Sequence, residues 1–462
     1  MNRWIVPSST VVVVAAAVVL TSTVLPSTPV PETPARPIPT HLTAVCPSFE
    51  SATASVQVAV TNQSDTLTTA PLSRPEERND EPDGVSVLTN RAEPVLVTAE
   101  MSSPMGAVSL TRSTSGPDRG LSAATCESAA TQRWFSGVLL TEDAQADLVL
   151  ANADTVDAAV DVTLFGPEGR INAPGSRGIV VESHSARSVP LSVMASVDGP
   201  VTLLVESSAG RVAATLRQRL WQGTTPLGAD WIPPTVAPTT ELVIPGIVAG
   251  EGVRELVITN PGERSTSVEV ELLGEAGPAV VGGTEDLEVP AGVTRSVELG
   301  PGLAGQLAGL RLTADQPIVA GVRQASAEVA DSQDPAWSAA LPALDAEGVW
   351  PVPAGAKAAV TLLLSNPSEA EAEVTITLGN ELGGEGETSS QVVPARSTVA
   401  VPVPSAKAPW VRMRAGGSAV RGALQVTERL GDVDALALVP LLTPRSASIE
   451  IPPVVFDPHA AR

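Results

Sequence analysis

The sequence predicts a mainly β protein: tandem immunoglobulin-like antiparallel β-sandwich modules that follow a single N-terminal transmembrane or signal helix. Three observations point there. Leu/Val-rich runs ending on Asn recur at a domain-sized period, LVLAN at 148–152, LVITN at 256–260 and LLLSN at 362–366. Each is followed by a strict alternation of apolar and polar residues, the pattern of a strand with one buried and one wet face. Turn-forming residues come about every ten residues, with no helical periodicity between them.

A chain of 462 residues is too long for one ordinary core and calls for three or four domains. Apolar residues make up 43% but aromatics only 2%, with no Tyr, so Val, Leu, Ile and Ala must fill the cores. Each large aliphatic side chain then contributes roughly 1.5–3 kcal/mol on burial. The net charge of −23 excludes nucleic acid as a partner and opposes adsorption to anionic lipid. Basic residues are nearly all Arg, with Lys only at Lys357 and Lys407. So few aromatics also count against a sugar-stacking surface.

The amino end sets the expected compartment. Residues 1–25 hold Arg3 and then an uncharged run from Thr10 to Leu25, extendable back to Ile5, long enough to span a bilayer. A cleaved signal peptide opens in the same way, but no A-x-A site follows Leu20, so an uncleaved anchor with the bulk outside is the expectation. Residues 26–44 read as a proline-rich stalk, with Pro at 26, 29, 31, 34, 37 and 39, extended as polyproline II. LTAVC at 42–46 is no lipoprotein box, because Val45 is too large and the apolar run lies too far upstream. In an oxidising compartment Cys46 and Cys126, the only two cysteines, are expected to form a disulfide. No C-x-x-C is present for redox work.

Aligning the repeats on Asn152, Asn260 and Asn366 brings Val160–Leu164, Val268–Leu272 and Val374–Leu378 into register without a gap. Each module is therefore expected to open with a hairpin-like pair of strands, the Asn starting its turn. Further strand–turn–strand segments match, and the copies close near Gln218, Gln324 and Gln425. This gives modules at 131–235, 239–345 and 347–445, a tail at 446–462, and a Pro-rich joint, PPTVAPTT, at 233–240. Residues 45–130 read as a divergent β region, interrupted by the exposed, mobile loop SRPEERNDEPDG at 73–84.

The stretch CESAATQRWFSG at 126–137, the strand–Asn module and FGPEG at 165–169 resemble an uncharacterised family of actinobacterial exported, membrane-anchored proteins. That resemblance implies an envelope location. It implies no activity and no catalytic residues.

Reactive constellations are sparse. His41, His184 and His459 fall in the stalk, in a turn and near the end, too far apart in the pattern for a metal cluster or a nucleophile relay. G-x-S-x-G, H-E-x-x-H, the phosphate loop and S-x-x-K are absent. Trp134, Trp221, Trp231, Trp337, Trp350 and Trp410 sit near module edges, where they plug small-residue cores or pack one module on the next. Asn152, Asn260 and Asn366 are turn formers, not ligands. The expectation is a non-enzymatic, membrane-anchored extracytoplasmic scaffold or adaptor of the bacterial cell envelope. It needs no cofactor and binds an envelope protein or glycan. A polysaccharide-binding or carbohydrate-processing accessory is the alternative.

Overall fold

The computed structural model describes residues 41–48, 54–62, 67–81, 84–89, 93–100, 105–285, 287–327, 329, 332–344, 347–352, 357–380 and 384–442. The expected N-terminal helix, all of the stalk before His41 and the tail at 446–462 lie outside these residues. Among the described residues no helix is long and apolar enough to cross a membrane.

The alternating segments are strands, and the fold is mainly β in several antiparallel sheets. Their pairing corrects one expectation. LVLAN ends the strand Ala144–Asn152, which pairs with Ser185–Pro190 and Ala213–Gln222. Val160–Leu164 lies in Ala158–Gly166, which pairs instead with Pro200–Ala209. The two are not a hairpin; they belong to different sheets. Ala359–Asn366 and Ala372–Gly379 are divided in the same way, and Arg254–Thr259 and Thr266–Gly274 likewise do not pair with each other but with different parts of one long strand, Ala308–Ala325. Alternation records which face of a strand is wet, and it leaves open which neighbour completes the backbone ladder.

A single topology is used four times. In module 1 one sheet runs Gly169–Ile171, Ala158–Gly166, Pro200–Ala209, Gln132–Leu139; the other runs Ser185–Pro190, Ala144–Asn152, Ala213–Gln222, Thr225–Ile232. Module 3 repeats it, with Glu385–Val393, Ala372–Gly379, Trp410–Arg414, Gly348–Pro351 and then Ser397–Val403, Ala359–Asn366, Arg421–Leu430, Val433–Pro440. In module 2 the strand Ala308–Ala325 does the work of two. Its first part pairs with Thr239–Ile247 and Thr266–Gly274, its second with Arg254–Thr259 and Pro335–Ala339. The supposedly divergent N-terminal region has the same order: Asn79–Asp80, Thr68–Pro71, Val95–Glu100, His41–Cys46 and Gly84–Thr89, Ala54–Asn62, Gly106–Ser113, Gly120–Thr125. Its first strand starts at His41, inside the span read as stalk. The segment 73–80 is largely exposed, yet it is held by Arg74 to Glu77 and Glu93 and carries a short strand.

Within each module the apolar faces of both sheets meet in one core, as Leu148 and Leu150 meet Val160, Val162 and Leu164 in module 1. The cores are not separate, however. Trp337 of module 2 is part of the module 1 core. Val248, Leu307 and Ala336 of module 2 cluster with Leu363, Leu436 and Leu438 of module 3. Val45, Leu72 and Leu96 of the N-terminal module meet Ala151 and Ala213 of module 1. The cycle closes where Val108, Leu110, Leu121 and Ala123 of the N-terminal module enter the module 3 core. At that closing seam a Cβ on Gly106 would stand 2.1 Å from the Val349 carbonyl oxygen, so only glycine lets the two backbones touch. The Pro-rich joint is pinned too: Thr235 N–H donates to the Trp134 carbonyl (2.9 Å) and Val236 N–H to that of Ala340 (3.1 Å).

Candidate functional site

The repeated amides are internal braces. Asn152, Asn260 and Asn366 are wholly buried at the ends of equivalent strands. In each, Oδ1 accepts the N–H two residues on, from Asp154, Gly262 and Ser368, all at 3.0 Å. Each Nδ2 donates to the carbonyl four residues on, of Val156, Arg264 and Ala370, and to Val181, Val289 and Val393 in the opposite sheet. One side chain thus closes the turn and ties the two sheets together. Gln218 and Gln324 work likewise, gripping Leu139 and its carbonyl in module 1, and Val248 N–H and the Gly246 carbonyl in module 2. Cys46 and Cys126 are joined, linking the first strand of the N-terminal module to the residue after its last.

The last strands of the four modules, Gly120–Thr125, Thr225–Ile232, Pro335–Ala339 and Val433–Pro440, are sheet edges that pack against one another in the middle of the cycle. Edges turned inward leave backbone N–H groups without a ladder partner. Two aspartates supply acceptors. Asp334 Oδ2 accepts the N–H of Leu121 (2.8 Å) and of Leu436 (2.9 Å), joining module 2 to two other modules. Asp230 Oδ1 accepts the N–H of Ala123 at 3.1 Å. Both side chains are essentially inaccessible, 1% exposed for Asp230 and 0% for Asp334.

Burial drives both carboxyls well above the usual carboxylate range, and the proximity of Asp334 pushes Asp230 further. The backbone donors and, for Asp334, Arg119 oppose this without reversing it. Both are therefore held toward the neutral acid. Asp230 Oδ2 and Asp334 Oδ1 accept no hydrogen bond from the described residues. Glycine makes room for the hub: a Cβ on Gly120 (φ +97°) would lie 2.0 Å from Asp334 Oδ1, and one on Gly228 (φ +120°) 2.8 Å from it. Beside the hub, Asp118 pairs with Arg217 (2.5 Å) and Arg219 (2.7 Å), and Arg217 lies over the Trp231 ring. Burial, helped by the charge of Arg219, lowers the Arg217 guanidinium to about 10.

The four segments leaving these strands meet around one open cleft of about 370 Å³. Its wall includes Glu127 and Trp134, Pro234 and Val236, Pro342, and Leu441. Glu127 is the buried acid of the wall: Thr125 Oγ1 donates to it at 3.0 Å and Arg133 Nε stands 3.5 Å away. Burial raises this carboxyl above its ordinary range despite both partners. The volume falls in the range of small-ligand and cofactor sites, roughly 300–1,000 Å³. What the cleft offers is an apolar wall with one shielded acid–guanidinium pair.

The other residues singled out in the sequence do not converge. His41 opens a strand, His184 occupies a turn with φ 50°, and His459 lies outside the described residues. Among the described residues no group of three or more His, Cys, Asp or Glu is placed to hold a metal ion. Trp134, Trp231, Trp337, Trp350 and Trp410 are buried, and Trp221 is half-buried. Trp134 stacks on Phe165 at 5.6 Å, beside Val319 of module 2, and Trp337 donates from Nε1 to the Gly137 carbonyl of module 1 at 3.0 Å. The acid hub was missed by sequence reasoning, although a signal existed: an acid stands just before Trp231 and Trp337, in GADW and DPAW, and the two Trp occupy equivalent ladder positions.

The model of a family of unknown function (DUF5719) matches residues 79–404, well over half of the chain, and the chain belongs to that family. No curated protein matches it.

Proposed function

We propose that the chain is a non-enzymatic, membrane-anchored scaffold or adaptor on the outer side of a bacterial cell membrane, each two-sheet unit being an immunoglobulin-like sandwich. The observation that carries this reading is where the polar and aromatic residues are used. The repeated amides, the buried aspartates and most of the tryptophans hold four units in one fixed mutual arrangement. A rigid body of that kind suits a part that presents surfaces to other components. The Cys46–Cys126 disulfide supports an oxidising compartment. The uncharged run from Ile5 to Leu25 supports an anchor, and the resemblance to exported actinobacterial proteins supports an envelope setting. The polysaccharide-binding alternative calls for aromatic platforms, and the five buried tryptophans leave little ring surface for sugar.

The test is fractionation followed by affinity capture of the full chain from its own membranes. Retention in the membrane after a high-salt wash, together with a stoichiometric envelope component lost on Val236→Arg in the cleft wall, is expected. Release into the medium would overturn the anchor. Turnover of an envelope substrate by the purified chain would overturn the non-enzymatic reading.

A further inference from the structure

One sheet edge differs from its three counterparts. In the N-terminal module that edge is only Asn79–Asp80. In module 1 it is broken into Gly169–Ile171 and Ile179–Val181, and in module 2 into Gly277–Val280 and Leu287–Val289. The breaks carry glycine, and in module 1 also proline: NAPGSRG at 172–178 and VGGTED at 281–286. Short, interrupted edges are how sheets avoid pairing with other chains. Module 3 has no such break. Its edge is a single nine-residue strand, Glu385–Val393, EGETSSQVV, paired with Ala372–Gly379 in an unbroken register from Val393 to Thr388 and with one register shift before Glu385. Residues 385–390 are all exposed, so both faces of this stretch are wet. Along its outer side, alternate backbone N–H and C=O groups have no strand beside them among the described residues.

We propose that this edge docks a second copy of the chain, the two Glu385–Val393 strands pairing antiparallel about Ser389 across a two-fold axis. The sequence of the strand is suited to itself. The one antiparallel register that pairs all nine residues sets Glu387 opposite Gln391, Glu385 opposite Val393, and Gly386 opposite Val392. No carboxylate then faces another, and Val392, 46% exposed in the single chain, lies across from a bare glycine. A parallel in-register pairing would stack glutamate on glutamate, which opposes it. The two four-stranded sheets would become one of eight. Because each copy carries a net charge of −23, the association is weak at low salt and strengthens as salt screens it. The inference goes beyond the scaffold reading and stands or falls separately from it.

The pivot gives a direct test on the full chain. Ser389→Cys would face its own counterpart at a paired Cα separation of about 4.5–5.5 Å, within reach of a disulfide. Both native cysteines are already bonded to each other, so the new thiol is the only free one. Oxidation is expected to cross-link S389C to a dimer about tenfold faster than Thr224→Cys, an exposed control in a module 1 hairpin. In sedimentation velocity, Gln391→Lys, opposite Glu387 of the other copy, is expected to tighten the dimer about fivefold, and Gln391→Glu to loosen it by a similar factor. Gln222→Lys makes the same charge change far from the edge and is expected to do neither. The proposal is overturned if the wild type stays monomeric to millimolar concentration in about 0.5 M salt. It also fails if S389C cross-links no faster than T224C, or if Q391K and Q222K act alike.

Discussion

Replacing Asp334 separates two roles of one side chain: accepting hydrogen bonds and carrying a proton. Asp334→Ala removes the acceptor of Leu121 N–H and Leu436 N–H, both buried at the meeting of the modules. Each orphaned buried donor costs about 1–3 kcal/mol, so the variant should lose about 2–6 kcal/mol, less whatever burying the acid had cost. Asp334→Asn keeps an acceptor oxygen toward both donors and cannot ionise. It should stay within about 1 kcal/mol of wild type in mild acid and overtake it as pH rises. The sign follows from the raised folded-state pKa. Stability contributed by such a group is fully present below the unfolded carboxylate pKa and is lost as pH rises through the folded one, because the unfolded chain releases its proton first. In that window the slope reaches about 1.4 kcal/mol per pH unit for each carboxyl. The assay is urea unfolding at a series of pH values with the disulfide intact, read as wild type minus variant so that the acids other than its neighbour Asp230 cancel. Equal stability of the Ala and Asn variants, or a wild-type-minus-Asn difference that grows with pH, would refute the hub.

Further outcomes rest on separate contacts. Asn260→Ala, which loses the three hydrogen bonds of a buried amide, should lower stability by about 2–4 kcal/mol, and Asn260→Asp at least as much, since an oxygen would then face the carbonyls of Arg264 and Val289; thermal melts compare them. Gly120→Ala meets both a positive φ and Asp334 Oδ1, so a double-mutant cycle with Asp334→Ala should show coupling of about 1–3 kcal/mol, and additive losses would contradict the close approach. Thiol labelling of the denatured, unreduced protein should find no free cysteine. Reduction, which opens a bond between residues 80 apart, should destabilise by up to about 4.5 kcal/mol in the chain-entropy picture.

Much of the strand content was legible because alternation is a local property. Val160–Leu164, Val268–Leu272 and Val374–Leu378 each betray a wet and a dry face. Pairing is not local, which is why the strands flanking Asn152 were read as a hairpin although they lie in opposite sheets. The N-terminal copy was passed over as divergent. It does end its second strand on Asn62, in VAVTN, but the segments that follow are cut short, with Thr68–Pro71 in place of a nine-residue strand such as Ala158–Gly166. The acid hub was hidden for a different reason. Asp230 and Asp334 acquire their chemistry only when strands from different modules meet, and no window of sequence contains both the carboxyl and the N–H groups it serves.

The closed cycle also explains how so aromatic-poor a chain fills its seams. A module of about a hundred residues buries a modest fraction of its surface, and small aliphatic side chains cannot reach far beyond their own sheet. The few large rings are placed where reach is needed: Trp337 enters the core of the preceding module, Trp134 and Phe165 meet Val319 across the same boundary from the other side, and Trp350 sits in the shared core at the closing seam. Placed this way, each ring contributes to two modules at once. An isolated module would therefore expose apolar surface on two sides and leave edge N–H groups without acceptors. Cutting the cycle between modules 2 and 3 should then destabilise the N-terminal module, which meets module 3 through Gly106, Val108, Leu110, Leu121 and Ala123 and module 2 through the bond from Leu121 N–H to Asp334. If the N-terminal module instead kept its hydrogen-exchange protection after such a cut, the shared cores would be mere contact surfaces, and the modules would be independent beads.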